Sequence, residues 1–361
     1  MPQPATHYLI ASGSIPEDHH KTWWDIYKPE FALGSSAPDL FYFPTIGKFM
    51  PQGVSVAADT PWGHWASRLH HEKSFDMFCS LLDQARDRRI NGAGKDSNDK
   101  EVAKKQFAFA FGYYSHVIAD CIFHPYVYRE TKDHWCQSSL KAKIAHPAYE
   151  SLIDTALLEY DYGKDKWGNI SWKCDGETFY HLDYSLIVLL QKSLQDVYGN
   201  DFDFPQDIND QSHPIHVSYA ILKETTATLF RDDVEVPVIG SFSSSIRRVL
   251  KPNNFLNEPL DVGNTLNAHT PHELFKIAKF AGQKVFNASL AFFENDHIDS
   301  SKLFFKDYPD KFLSSGNWNL DTGLSTECNT HHDIKNNTSS HFSYKSDEIR
   351  AQLTYYLEQV S

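Results

Sequence analysis

Residues 101–128, EVAKKQFAFAFGYYSHVIADCIFHPYVY, read as a helix that is apolar nearly all the way round. A helix with no face for water belongs in the middle of a fold, with other helices wrapped about it. Pro125 is expected to stop it. Three ionisable side chains interrupt the apolar run, His116, Asp120 and His124, each four residues from the next. Four-residue steps on an α-helix drift by only about 40°, so the three line one stripe and project into the same buried space. Burying them without partners is costly. An ion pair on a helix surface would be the ordinary alternative, but this stretch has no polar face to hold one. Bound metal relieves the cost, because neutral imidazole and carboxylate are ordinary zinc ligands. His146 and Glu150 repeat the same spacing on the next predicted helix. Two facing helices that each turn a histidine and a carboxylate inward are how helical bundles build polynuclear metal sites.

The rest of the chain reads as mainly α. Helical spacing recurs in HWASRLHHEKSFDMFCSLLDQARDRRIN, YHLDYSLIVLLQKSLQDVYG, IHVSYAILKETTATLF and PHELFKIAKFAGQKVFNASLAFFEN. A short helix is expected after Thr6, a residue suited to an N-cap. NGAGKDSNDK at 91–100 reads as a polar break, and DVEVPVIG is the best case for a strand. Residues 1–298 are expected to form one helical domain. Residues 299–361 are expected to be a C-terminal extension with one terminal helix, packed on that core.

The formal charge of -13 argues against a nucleic-acid surface, which needs clustered Lys and Arg. It does not exclude a phosphate substrate at a metal, since the ion brings its own charge. The five cysteines are odd in number and form no CxxC, which argues against a disulfide framework or a cysteine-type zinc ribbon. The chain as given carries no basic n-region and no apolar run of membrane-spanning length. That reading leaves a cytoplasmic location, or export by a route without such a signal.

GYYSHVIADCIFHP followed by HPAYES resembles the helical zinc-dependent phospholipase C family, and more distantly the three-zinc single-strand nucleases. APDLFYFP resembles the family's Pro-Asp loop, LHHEKSF its segment with a histidine four residues before an aromatic, and PATHYLIA its N-terminal histidine stretch. The resemblance implies a multi-helix bundle and a metal set of His7, Asp39, His71, His116, Asp120, His124, His146 and Glu150. It selects His71 over His70.

The same resemblance implies two to three zinc ions. His71, His116 and Asp120, with Asp39, would hold one. His124, His146 and Glu150 would hold a second, and Asp120 would bridge towards a third at His7. The implied activity is phosphodiester hydrolysis, foremost a phospholipase C reaction on glycerophospholipid headgroups through metal-activated water, with Asp39 orienting or deprotonating that water. A single-strand nuclease of the same metal type, or a non-catalytic helical protein with structural zinc, are the alternatives. Tyr42, Trp62 and Trp65 are candidates for substrate contact because π faces suit a quaternary ammonium, with ordinary packing as the competing reading. Phospholipid is the expected partner and peripheral membrane contact is compatible with it. Nucleic acid is disfavoured.

Overall fold

The computed structural model describes residues 4–42, 62–92, 97–131, 149–150, 153–154, 157, 182–205, 207–210, 212–229, 271–296, 318–320 and 324–325. Among these the fold is a helical bundle, as the hydrophobic periodicity requires. Helix α1 is Pro4–Gly13, α2 is Asp25–Gly34, α3 is Gly63–His71 and α4 is Ser74–Gly92. Helix α5 is Ser97–Thr131, α6 is Tyr184–Tyr198, α7 is Pro214–Leu229 and α8 is Pro271–Glu294. A two-residue antiparallel hairpin follows, β1 at Trp318–Asn319 and β2 at Leu324–Ser325. No helix among the described residues is long and apolar enough to cross a membrane.

Helix α5 is the central element. It packs against α1, α2, α4, α6 and α8. Phe107, Phe109, Phe111, Tyr113, Tyr114, Val117, Ile118, Ile122 and Phe123 are all buried on it, which accounts for its lack of a polar face. The helix passes through Pro125 rather than stopping there. Proline removes one backbone hydrogen bond at a cost of about 3 kcal/mol, and burial on all sides of so long a helix outweighs that loss. Of the expected break at 91–100, residues 91–92 belong to α4 and residues 97–100 to α5, and residues 93–96 lie outside the described residues.

Helices α2 and α5 approach each other closely enough for their backbones to touch. A Cβ built on Gly112 would lie 2.4 Å from the Phe31 carbonyl oxygen, and one on Gly34 would lie 2.2 Å from the Phe109 carbonyl oxygen. Only glycine at both positions lets the two backbones touch. That contact sets the end of α2, and with it Ser35 and Asp39, against the middle of α5.

Thr6 does not cap α1. The helix already starts at Pro4, and its first turn is capped from a distance by Asp154. Helix α6 begins with Asp183 accepting from the Leu186 N–H and ends before Gly199, whose φ of 58° is left-handed. The expected strand at DVEVPVIG and the expected terminal helix lie outside the described residues. Cys79 and Cys121 are free thiols, and the other three cysteines lie outside the described residues.

Candidate metal centre

Seven side chains converge beside the middle of α5. His116, Asp120 and His124 come from its inward stripe. His7 comes from α1, Asp39 from the turn after α2, and His70 from the last turn of α3. Glu150 comes from a described helical position, as does Asp154 four residues later. His7, His70, His116, Asp120 and His124 have no exposed surface, Glu150 is 1% exposed and Asp39 is 5% exposed.

Asp120 is the hub. Its Oδ2 lies 3.0 Å from His116 Nε2 and 3.5 Å from His70 Nε2. Its Oδ1 lies 3.3 Å from His7 Nε2 and 3.7 Å from His124 Nε2. The two oxygens of one carboxylate therefore face two different sets of imidazoles. Asp39 Oδ1 adds a contact of 3.0 Å to His70 Nε2 and one of 3.8 Å to His116 Nε2. Glu150 Oε1 lies 3.5 Å from His124 Nε2.

The imidazoles are aimed by main-chain carbonyls. His70 Nδ1–H donates to the Ala66 carbonyl (2.7 Å), His116 Nδ1–H to Ser35 (2.8 Å) and His124 Nδ1–H to Leu320 (2.9 Å). A carbonyl only accepts, so Nδ1 of each ring carries a proton and Nε2 is the atom turned to the centre. His7 instead stacks flat on His116, with ring centroids 3.8 Å apart and planes within 8°.

The centre is polar, closed and short of hydrogen bonds. His7 Nε2, His70 Nε2, His116 Nε2, Asp39 Oδ1 and both Asp120 oxygens are buried with no hydrogen-bond partner. Buried polar atoms are normally satisfied, and these orphaned atoms all point at one another. The donor set is histidine nitrogen with carboxylate oxygen, which suits a divalent transition ion such as zinc. Donor atoms of His7, Asp39 and His116 lie within 4.8 Å of one another, as do those of His70, His116 and Asp120. The residues fit metal.

The electrostatics agree. Burial drives the His7 pKa well below its usual value, and the neighbouring His116 adds to this. Burial also works against charge on His116, but the Asp120 and Asp39 carboxylates outweigh it and its pKa rises. Burial alone would raise the pKa of Asp120. The imidazoles of His116, His124 and His7 overcome it and hold the group well below the carboxylate range. Asp120 thus stays an anion in the core.

The geometry changes two expectations. The histidine of α3 that enters the cluster is His70, where the resemblance selected His71. His71 is half-buried and its Nδ1 meets Ser67 Oγ at 3.0 Å, away from the centre. The reason is helical phase: His70 shares the buried face of α3 with Trp65, Ala66 and Leu69, whereas His71 shares its face with Ser67. Trp65 is not available to substrate. It is fully buried among Tyr198, Phe202 and Phe204, and its Nε1–H donates to Asp203 at 2.7 Å. Trp62 packs against the hydrophobic core. Tyr42 does sit beside the cluster, its ring 5.0 Å from that of His70. His146 lies outside the described residues.

Sequence reasoning passed over two supporting groups. Asp154 accepts from the Ala5 N–H (3.1 Å), the Thr6 N–H (2.8 Å) and the Thr6 hydroxyl, which ties the start of the His7 helix to the segment bearing Glu150. Its four-residue spacing from Glu150 was the available signal. The Leu320 carbonyl had none, because a main-chain group leaves no mark in the residue code.

Compared with known protein families, residues 6–196 match the family described as zinc dependent phospholipase C. No curated protein and no solved structure matches the chain. The matched span contains all seven converging side chains and His146.

Proposed function

The chain belongs to the zinc-dependent phospholipase C family, and from that membership we propose that it hydrolyses the phosphodiester of glycerophospholipids on the glycerol side, releasing the phosphorylated headgroup. One observation carries the reading: buried imidazole nitrogens and carboxylate oxygens, unsatisfied by the protein, converge on Asp120. Zinc, when bound, supplies the Lewis acidity that polarises phosphorus and makes water nucleophilic near neutral pH.

The chain's own residues divide that work. His70, His116, Asp39 and Asp120 would hold one ion. His124 and Glu150 would hold a second, with His146 as the resemblance implies. His7 and Asp120 would hold a third. Charge sets the lower limit on the count. Asp39, Asp120 and Glu150 bring three negative charges, so a single divalent ion leaves the site negative and repels a phosphodiester. A second reverses the sign. Asp39 is the most exposed of the seven converging side chains, which suits it to orient the attacking water and take its proton. Tyr42, beside His70, is the side chain set to meet the substrate. Phospholipid at a micelle or membrane surface is the partner this reading requires.

The test uses the full chain loaded with zinc and mixed phospholipid–detergent micelles. Release of phosphorylated headgroup together with diacylglycerol, abolished by a chelator and by Asp120→Asn, is the expected result. Phosphatidic acid as product would move cleavage to the other side of the phosphate. Intact lipid with degraded single-stranded DNA would make the protein a nuclease. Bound zinc with neither activity would make the metals structural.

A further inference from the structure

The paired strands Trp318–Asn319 and Leu324–Ser325 lie beyond the span shared with the family, residues 6–196, yet Leu320, next to β1, reaches the centre. Leu320 is completely buried. Its N–H donates to the His70 carbonyl at 2.7 Å, and its carbonyl accepts from His124 Nδ1–H at 2.9 Å. Strand β1 packs on α3, α4 and α5. One residue thus grips two members of the cluster, one by its backbone and the other by its ring.

Both contacts have a physical reason. His70 sits in the last turn of α3, where carbonyls have no partner within the helix, and the Leu320 N–H supplies one. His124 needs an acceptor at Nδ1 to fix its tautomer and aim Nε2 inward. His70 finds its acceptor on its own helix, at Ala66, and His116 finds one at Ser35. Both acceptors lie inside the family span, and Leu320 does not.

We infer that the backbone of Leu320 is a positioning element of the metal centre, so that the segment after residue 196 completes a site whose ligating side chains all lie before it. The C-terminal region is then part of the active unit rather than an appendage. The inference rests on the metal-centre reading, since what Leu320 positions is a ligand.

Three full-length proteins test it: the wild type, Leu320→Ala, which keeps both main-chain groups, and Leu320→Pro, which removes the N–H. Zinc per chain and zinc affinity against a competing chelator are measured, with thermal melts of the metal-free proteins. Leu320→Pro is expected to lose one ion, or at least about tenfold in affinity for it, while Leu320→Ala keeps its zinc. Full, tight zinc binding by Leu320→Pro overturns the inference. If that variant does not fold, the wild type decides. Long-range proton–nitrogen correlation on the zinc-loaded protein should show His124 protonated at Nδ1 with a slowly exchanging proton and metallated at Nε2. Metal at Nδ1, or a rapidly exchanging Nδ1 proton, overturns the inference. A wild type that binds no zinc sinks the metal-centre reading and this inference with it. Zinc bound equally well with and without the Leu320 contact sinks only the inference.

Discussion

A single methyl group added at Gly112 should disorganise the centre from behind. A Cβ there would stand 2.4 Å from the Phe31 carbonyl oxygen, 2.9 Å from Gly34 Cα and 2.9 Å from the Ser35 nitrogen. All three atoms are main chain, so no rotamer change relieves the clash. An ordinary carbon–oxygen contact is about 3.3–3.6 Å, which means α2 must retreat by about 1 Å. Ser35 follows α2, and its carbonyl accepts from His116 Nδ1–H at 2.8 Å. A retreat of that size carries the bond beyond hydrogen-bonding distance.

The opposing energies can be ranked. Overpacking costs about 1–3 kcal/mol and a buried polar group left unsatisfied costs about 1–3 kcal/mol more. Replacing a helical glycine by alanine returns about 1 kcal/mol. The net is a loss of about 1–5 kcal/mol out of a total stability of about 5–15, and the loosened imidazole should bind metal about 10–100-fold more weakly. Thermal melts and chelator competition read the two effects. Gly13→Ala is the control, because the three atoms nearest a Cβ there all belong to the flexible Lys279 side chain rather than to main chain. A Gly112→Ala protein with wild-type melting and wild-type zinc affinity would refute the link between the helix crossing and the centre.

Three further outcomes are expected. His70→Ala should lose bound zinc by elemental analysis while His71→Ala keeps it, and the reverse result would restore the assignment made from sequence. Asp154→Ala leaves the Ala5 and Thr6 donors buried and unsatisfied, at about 1–3 kcal/mol. It should lower the melting temperature and weaken zinc binding at His7, whereas Thr6→Val, which removes only the hydroxyl, should do less. Zinc affinity should depend on pH through His116, whose pKa in the folded, metal-free protein lies above 6.5. Its proton must leave for metal to bind and Asp120 is already ionised, so affinity should climb about tenfold per pH unit up to the raised pKa and then level. Calorimetry in two buffers of different protonation enthalpy counts the proton, and a flat affinity between about pH 6 and 8 would refute the assignment.

How legible the site was depends on which physical layer is asked about. His116, Asp120 and His124 were readable because one helix fixes their geometry: four-residue spacing on an apolar helix leaves only the interior for them. His7 and Asp39 were readable only by resemblance, since nothing local in PATHYLIA or APDLFYFP says where those side chains point. His70 and His71 show the boundary between the two kinds of signal. The resemblance counted residues to an aromatic and chose His71. The apolar phase Trp65, Ala66, Leu69 already placed His70 on the inner face, and periodicity was the better guide. The helix running through Pro125 was missed for the opposite reason, because a local rule was applied where tertiary burial decides. The carbonyls of Ser35 and Leu320 could not be found at all. They act as main chain, and their partners lie 81 and 196 residues away.

The charge balance of the cluster carries its own prediction. Without metal, three buried carboxylates stand among imidazoles, of which His7 resists protonation and His116 favours it. Protonation at one imidazole does not neutralise three anions, so the metal-free site remains negative and a phosphodiester anion is repelled from it. The first zinc displaces the His116 proton and adds two charges, which still leaves the site short of neutral. Only the second makes it positive. Hydrolysis in a zinc titration of the metal-free protein should therefore lag, with little turnover through the first equivalent and a rise through the second. A hyperbolic rise complete at one zinc per chain would show that a single ion suffices, and would refute the count drawn from Asp39, Asp120 and Glu150.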